Sequence, residues 1–414
     1  MIKEINIKNF KSIVDLPLDL GTFNVLIGEN GCGKSNILEA IAFGAAASAN
    51  KLDFEFLGSR GIRVTNPEFM YSAFTNKSDK KKIEIDFKTD DELFNHIKYI
   101  LSSDSDNPKK WINESKELIE KSFGEILANI LFDKSEKEKN QELEKIFENK
   151  KNIKSVVNFA QEIKETTKKH GKEDDSKDFF KFIFNNHYLA DRYTNDTISN
   201  FIIYSPEQSS LRKFEETTQI YPLGIRGEGL FQYLKELTLD KKNKKKLLDI
   251  KDNLAFLDWY ENFDLPKNLL KNEFSLNIKD KYLNENLQYF DQRSTNEGFL
   301  YLLFYATLFI SETTPKFFAI DNIDASFNPK LCMQITKNLS NLSKKYNKQV
   351  IVTTQNPAIL DGLNLKDDSQ RLFVVSRNSE GHTRVERINY NKDRTMKLSE
   401  VWTKGFIGGL PSNF

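Results

Sequence analysis

Cysteine and long apolar runs are both scarce in this chain of 414 residues. Its two cysteines, Cys32 and Cys332, cannot form the disulfide framework of a small secreted protein, and so low a count is typical of a reducing cytosol. The longest apolar stretch, Phe299 to Ile310, is shorter than the roughly 20 residues that span a bilayer. The first ten residues lack the apolar centre of a signal peptide. We therefore expect a cytoplasmic protein with no membrane partner.

An excess of charge of one sign is also lacking, because 61 Lys and Arg face 60 Asp and Glu. This balance excludes a polycation that coats nucleic acid by net charge. Two lysine clusters, 80–82 and 241–246, are candidates for local contact with DNA, although solvated surface is the commoner role of such clusters. The four histidines are scattered and neither cysteine has a ligand-spaced companion, so the sequence predicts no zinc site.

Strand and helix patterns alternate near both ends of the chain. Phe23 to Ile27 predicts a strand, which a glycine-rich turn and a helix from Ser35 to about Ala47 follow. Further apolar or alternating stretches predict strands at residues 83–87, 317–320, 349–353 and 372–375. Helical segments separate the last three, which is typical of a parallel α/β structure. The predicted fold class is therefore α/β.

Between these regions the composition changes. From about Asp90 to Lys181, Lys and Glu dominate and apolar residues recur at helical spacing, although the heptad-like part is too short for a coiled coil. We interpret residues 90–187 as a helical insertion that divides one domain into residues 1–89 and 188–414. The insertion is either a charged, solvated lobe or an arm that contacts a partner or DNA.

A phosphate-binding loop is the most specific motif. Gly28 to Ser35 reads GENGCGKS, which fits G-x-x-x-x-G-K-[ST] and lies between a predicted strand and a predicted helix. Glycines let successive N–H groups face one concavity, and the helix adds its positive end. Lys34 would reach the β- and γ-phosphates, while the Ser35 hydroxyl would hold Mg²⁺. The predicted nucleotide-binding residues here are Gly28, Asn30, Gly31, Cys32, Gly33, Lys34, Ser35 and Asn36.

A second metal ligand is predicted at Asp321, which ends the apolar strand 317–320. A carboxylate at the end of a buried strand suits a Mg²⁺ ligand, although a buried strand that meets a loop at Asp is common. Two neighbouring motifs strengthen the assignment. Thr295 to Gly298 opens an apolar helix upstream, and Val352 to Pro357 ends a strand downstream. ATP and Mg²⁺ are the predicted cofactors, with Ser35 and Asp321 as the metal ligands.

The motifs Asn-Phe-Lys-Ser, GENGCGKS, NEGFLYLLF, FFAIDNIDASFNP and TTQNPAIL, in this order, resemble the ABC-type ATPase head, and more narrowly the group of SMC, RecF and OLD proteins. The resemblance implies two heads that face each other in a homodimer or higher homo-oligomer. Each ATP would lie between the phosphate loop of one head and the signature helix of the other. Asn296 and Gly298 would then contact the γ-phosphate across the dimer, unless Asn296 only caps a core helix.

Three positions depart from the pattern of this group. Asn322 stands where Glu usually follows the metal-binding Asp, Gln355 stands at the usual switch His, and Asn296 replaces a signature Ser. A carboxamide can orient water or donate to a phosphate, but it cannot take a proton. We therefore expect slow turnover, with Asp324 as the nearby carboxylate that could replace the base. The predicted catalytic residues are Lys34, Asp321, Asn322 and Gln355. The Q-loop glutamine is not assigned to a residue.

Compact heads with a short insertion resemble the ATPase components of bacterial anti-phage systems such as Septu and PARIS. That resemblance implies a separate effector protein, a nuclease or a toxin, which ATP-bound dimers scaffold and restrain. The alternative is a RecF-like DNA-repair ATPase that binds duplex DNA. A transporter's ATP-binding subunit fits poorly, because those heads lack a helical insertion of this size.

Overall fold

Two β-sheets enclose one buried helix in the computed structural model of the protein. The structure describes residues 1–74, 82–90, 96–104, 110–115, 127–146, 150–169, 176–178, 196–213, 220–239, 243–266, 275–284 and 286–410. Over these ranges, every helix is too short or too polar to cross a membrane.

The strands are β1 (Ile2–Phe10), β2 (Ile13–Asp19), β3 (Phe23–Ile27), β4 (Ile83–Thr89), β5 (His96–Ser103), β6 (Trp111–Asn113), β7 (Ile203–Tyr204), β8 (Tyr260–Asp264), β9 (Asn277–Asp280), β10 (Phe317–Ile320), β11 (Gln349–Thr354), β12 (Gln370–Arg377) and β13 (Thr383–Ile388). The helices are α1 (Lys34–Ser48), α2 (Phe54–Ser59), α3 (Glu136–Ile146), α4 (Lys150–Lys169), α5 (Asp196–Ser199), α6 (Gln208–Lys213), α7 (Leu230–Leu239), α8 (Lys244–Asp252), α9 (Glu297–Ile310), α10 (Pro329–Lys345) and α11 (Leu398–Thr403). Short 3₁₀ segments lie at Pro67–Phe69 and Pro357–Gly362.

The larger sheet places the sequence motifs at one edge. Its order is β13-β12-β3-β11-β10-β7, and all neighbours are parallel except β13, which runs antiparallel to β12. Ile27 pairs with Thr354, and Ile320 pairs with Val352. Because parallel strands end at the same edge, the loop after β3, Asp321 after β10 and Gln355 after β11 meet there. The predicted α/β head is confirmed.

Helix α1 lies between this sheet and the antiparallel sheet of order β2-β1-β4-β5-β6. Ile41 and its neighbours on α1 share one apolar cluster with Phe87 of β4 and Ile351 of β11. The approach is close at Gly44, where a Cβ would lie 2.8 Å from the Phe87 ring. Burial on both sides therefore fixes the position of α1, and with it the loop that leads into the helix.

The opposite face of the larger sheet is covered by α9. All but the first of its 14 residues are buried, since the helix packs among β10, the β8–β9 hairpin, α7 and α8 in a second apolar cluster. Phe309 of α9 meets Phe318 of β10 edge-on, with ring centroids 5.2 Å apart. The apolar run from Phe299 to Ile310 is thus a core helix.

The structure differs from the predicted helical insertion over its first part. Within residues 90–187, β5 and β6 continue the antiparallel sheet as far as Asn113. Ile97, Tyr99 and Leu101 are buried at every second position, which is the period of a strand. Trp111 packs edge-on against Phe43 of α1, with centroids 4.8 Å apart. The predicted boundary after residue 89 therefore cuts through a sheet.

Helices do form further along the insertion. Residues 127–133, α3 and α4 share a small apolar cluster that is separate from the two main clusters. Its buried members are Leu127, Ala128, Ile130, Leu131, Leu143, Ile153, Val156, Ala160 and Ile163. Most of the remainder, residues 170–175 and 179–187, lies outside the described residues.

Replacing Gly44 by Ala should lower the free energy of unfolding by about 1–3 kcal/mol, because overpacking against the second sheet outweighs the gain in helix propensity. Gly58→Ala is the matched control, since a Cβ at Gly58 meets nothing within 4 Å. Denaturant titration of both variants checks the prediction. A Gly44→Ala protein as stable as the control would contradict the close approach.

Candidate nucleotide site

The loop between β3 and α1 has the backbone of a phosphate-binding loop. Gly28, Gly31 and Gly33 have φ angles of 150°, 77° and 111°. Residues with a side chain rarely adopt such backbone angles, whereas glycine does so readily. Gly33 is also restricted by space, because a Cβ there would lie 2.2 Å from Thr383 Oγ1. The loop therefore lies between a strand and a helix, as the sequence predicts, and its shape depends on glycine.

The side chain of Lys34 folds back onto this loop and hydrogen-bonds to its backbone. Its Nζ donates to the carbonyl oxygens of Gly28, at 2.7 Å, and Glu29, at 2.9 Å. The Cys32 thiol lies 3.8 Å from the same amine and is 1% exposed. Burial raises the pKa of this thiol, although Lys34 opposes the shift. Cys32 is therefore a neutral packing residue, while Lys34 supplies the positive charge of the loop.

Ser35 and Asp321, the predicted metal ligands, meet directly. Ser35 Oγ donates to Asp321 Oδ2 at 3.1 Å. Thr353 Oγ1 donates to Asp321 Oδ1 and accepts from the Asn322 N–H at 2.9 Å. A hydroxyl beside a carboxylate is an all-oxygen donor set, which suits a hard cation such as Mg²⁺. Thr353 thus orients the carboxylate, a role that the sequence analysis did not assign.

Asn322 and Asp324 follow Asp321, the predicted metal ligand, in the loop after β10. Asn322 has a φ of 55°, a left-handed conformation that Asn adopts more readily than most residues. Asp324 accepts a 2.6 Å hydrogen bond from Thr354 Oγ1, which in turn accepts from the Asn356 N–H at 2.9 Å. Asp324 therefore holds the segment after β11 in place, so the candidate replacement base already has a structural partner.

The predicted switch residue reaches the phosphate loop. Gln355 Nε2 donates to Asn30 Oδ1, which joins the end of β11 to the middle of the loop after β3. Both side chains are polar and uncharged, so the pair offers hydrogen bonds and no titratable group to a phosphate. The structure thus brings together the loop 28–35, Asp321 and Gln355.

The end of β7 also borders the site. The Asp321 N–H donates to the Tyr204 carbonyl at 2.9 Å. The residues that follow β7 therefore begin next to Asp321, one of the two predicted metal ligands. Gln208, the first residue of α6, is the glutamine that follows this strand. Since β7 is only two residues long, the alternation that marks a strand in sequence is too short to detect.

Asn296 and Gly298 belong to the N-terminus of α9 and not to this hydrogen-bonded cluster. Asn296 Oδ1 caps α9 by accepting from the Phe299 N–H at 2.9 Å. A Cβ at Gly298 would be 3.5 Å from the Phe327 ring, and the intervening Glu297 accepts from Ser326 Oγ at 2.8 Å. In the described part of the chain, neither residue hydrogen-bonds to the phosphate loop. The N-terminus of α9 is therefore braced by the segment that follows Asp321.

A buried carboxylate on α1 supports the loop from behind. Glu39 is 2% exposed and accepts from Lys11 Nζ and Arg63 Nε. Arg63 also donates from Nη2 to Asn36 Oδ1 at 3.4 Å. Arg63 thus pairs with the buried Glu39.

The glycine-rich loop between β3 and α1, with Ser35 and Asp321 hydrogen-bonded at the same sheet edge, is the arrangement found in P-loop ATPases. The chain belongs to the family described as "AAA domain, putative AbiEii toxin, Type IV TA system", which matches residues 23–361. Local sequence similarity to a RecF protein agrees with an ATPase of the SMC/RecF-like kind.

That similarity is to the DNA replication and repair protein RecF of Lactococcus lactis subsp. cremoris, 35% identical over 78 residues, which are 19% of this chain and 21% of RecF. The uncharacterized protein MJECL10 of Methanocaldococcus jannaschii is 34% identical over 97 residues, 22% of this chain and 43% of that protein. The chain thus matches less than half of either relative. The Smc head domain of Pyrococcus furiosus, bound to the C-terminal domain of ScpA, aligns over 94% of this chain and 96% of its own, with 14% identity and a TM-score of 0.48.

Replacing Asp321 by Asn should remove the contribution of Mg²⁺ to nucleotide affinity, because a neutral amide is a weak ligand for a hard cation. The wild-type protein should bind a fluorescent ATP analogue more tightly with Mg²⁺ than with EDTA. The variant should bind it equally in both, at roughly the affinity of the wild type in EDTA. Fluorescence titrations measure all four constants, and a Mg²⁺ effect that survives in Asp321→Asn would exclude this carboxylate as the ligand.

Proposed function

We propose that the protein is the ATP-binding subunit of an anti-phage defence complex. In this proposal ATP joins two heads, and the dimer scaffolds and restrains a separate effector protein, a nuclease or a toxin. The observation that carries the proposal is that, in the described part of the chain, Asn296 and Gly298 make no hydrogen bond to the phosphate loop and instead form the N-terminus of α9, so their predicted γ-phosphate contacts are left to a second head.

The N-terminus of α9 supports dimerisation. The first N–H groups of a helix and its positive dipole end favour a phosphate group, although in α9, a helix of 14 residues, Asn296 already accepts from one of them, the Phe299 N–H. Asn296 is exposed beside it, while Ser326 and Phe327 hold the first turn. A second head that brings its own bound ATP to this end would complete the γ-phosphate contacts.

The residues around Asp321 support slow hydrolysis. Attack of water on the γ-phosphate needs a group that positions the water and accepts its proton. Asn322 can do only the first, and Asp324 is engaged by Thr354. Gln355 adds a hydrogen-bond donor without charge. Such a site binds ATP well and cleaves it slowly, so the nucleotide serves mainly as a clamp between heads.

The effector part of the proposal rests on the family and on the likeness to Septu and PARIS ATPases. The family description itself names a toxin. In this proposal, the effector binds the ATP-bound dimer and is released or activated when the heads separate. The chain then needs no nuclease site of its own.

A RecF-like repair ATPase is the second candidate, which the 78 residues of similarity to RecF favour. It would bind duplex DNA on the dimer surface. Among the described members of the two lysine clusters, Lys82 is ion-paired with Glu114, and Lys246 lies 3.0 Å from Glu312. These ion pairs reduce the charge that both lysines offer to DNA.

The hydrolysis rate separates the clamp from an ordinary ATPase. We expect turnover far below the roughly 1–100 per second that is typical of kinases. Asn322→Ala should lower this slow rate by several-fold at most, since it removes a hydrogen bond that positions water but no base, and Lys34→Ala should abolish it. A phosphate-release assay with and without duplex DNA measures these rates. A rate in the ordinary range that collapses in Asn322→Ala would exclude the clamp, and several-fold stimulation by DNA would favour repair.

Replacing Asn296 by Asp should abolish ATP-dependent dimerisation without weakening nucleotide binding to one head. Asp caps a helix as well as Asn does, but its charge opposes the γ-phosphate of the second head. Asn296→Ser, also a good cap, is the matched control and should still dimerise. Light scattering with a non-hydrolysable ATP analogue reports the mass.

Mixing two inactive variants gives a stricter form of this experiment. Lys34→Ala lacks a working phosphate loop and Asn296→Asp lacks a working signature end, so neither should dimerise alone. Together they contain one intact composite site and should form a heterodimer. Dimers of Asn296→Asp alone, or no dimers in the mixture, would contradict the two-headed arrangement.

A further inference from the structure

Three polar side chains from distant parts of the sequence, two of them buried and the third half-buried, form a hydrogen-bonded chain beneath the phosphate loop. Asn36 Nδ2 donates to Ser12 Oγ at 2.7 Å, Ser12 Oγ lies 2.7 Å from Thr383 Oγ1, and Thr383 Oγ1 donates to the Cys32 carbonyl at 3.0 Å. Ser12 is 3% exposed and Thr383 is 1% exposed. Buried hydrogen bonds of this kind are protected from competition by water.

The direction of these hydrogen bonds is fixed by the number of protons available. The Cys32 carbonyl can only accept a hydrogen bond, so the single O–H of Thr383 donates to it. The Ser12 O–H must then donate to Thr383 Oγ1, and Ser12 Oγ accepts from the Asn36 amide. Arg63 donates to Asn36 Oδ1, which sets the orientation of that amide. All donors therefore point one way, toward the loop.

The end of this chain determines which way one peptide of the loop faces. In a trans peptide the C=O and the next N–H point in opposite directions. Because Thr383 holds the Cys32 carbonyl beneath the loop, the Gly33 N–H faces the opposite side, toward the concavity. A carbonyl turned into that concavity would repel a phosphate, whereas an N–H attracts it.

We propose that Thr383 is a positioning residue for nucleotide binding, which turns the Cys32–Gly33 peptide so that its N–H serves the phosphates. This inference rests on the proposed ATP function and names a residue that acts through the loop without touching the ligand. Thr383 begins β13, and its own N–H donates to the Ser12 carbonyl at 2.8 Å, so the hydroxyl is held rigidly in place.

Two substitutions distinguish the contribution of the Thr383 hydroxyl from that of its methyl group. Thr383→Val keeps the shape and loses the hydroxyl, and its affinity for a fluorescent ADP analogue should fall roughly three- to tenfold, as expected for one lost hydrogen bond. Thr383→Ser keeps the hydroxyl and loses the methyl group, which lies so close to Gly33 that a Cβ there would be 2.9 Å from it. It should bind within about twofold of the wild type and melt at a lower temperature.

A matched control is available at Thr336, which is 1% exposed and donates to the Cys332 carbonyl within α10. Thr336→Val loses a comparable buried hydrogen bond and should change the melting temperature without changing the affinity. Ser12→Ala should weaken binding in the same direction as Thr383→Val, and the double variant should lose less than the product of the two effects.

The outcome is decisive in either direction. Thr383→Val with wild-type affinity, or Thr383→Ser with as large a loss as Thr383→Val, would overturn the inference while leaving the ATP function intact. Lys34→Ala is measured alongside. If that variant binds the analogue as well as the wild type does, the phosphate loop is not the site, and the proposed function fails together with this inference.

Discussion

Helix α1 is buried between two sheets, and its position determines that of the phosphate loop. A helix that is covered on both sides cannot shift without disturbing two apolar faces, and the near contact between Gly44 and the Phe87 ring leaves little slack. The first residue of α1 is Lys34, so the same packing fixes the end of the phosphate loop.

The nucleotide site joins segments that are far apart in sequence. Parallel register places Asp321 and Gln355 at the same edge as the loop after β3, whereas the antiparallel sheet contributes Ser12 and β13 contributes Thr383. Direct hydrogen bonds connect these segments, as when Thr353 holds Asp321 beside Ser35. Gln355 thus contacts the phosphate loop on one side through Asn30. On the other side, the hydrogen bonds from Asn36 through Ser12 and Thr383 end at the Cys32 carbonyl.

Much of this arrangement could be predicted from local sequence, because a phosphate loop and a long apolar strand leave a signal within a few residues. The loop at residues 28–35 and the strand before Asp321 are of this kind. The prediction of a helical insertion was wrong over β5 and β6. The strand alternation of Ile97, Tyr99 and Leu101 is hard to recognise there because the surrounding region is rich in charged residues. Thr383 could not be found, because its role comes from tertiary contacts across almost the whole chain.

The sharpest experiment is a structure of the protein with Mg²⁺ and a non-hydrolysable ATP analogue. We expect Mg²⁺ bound by Ser35 and Asp321, with the phosphates on the loop 28–35. We also expect Asn296 and Gly298 of a second copy against the γ-phosphate. A nucleotide bound elsewhere, or a bound monomer whose γ-phosphate is enclosed by its own chain alone, would contradict these expectations.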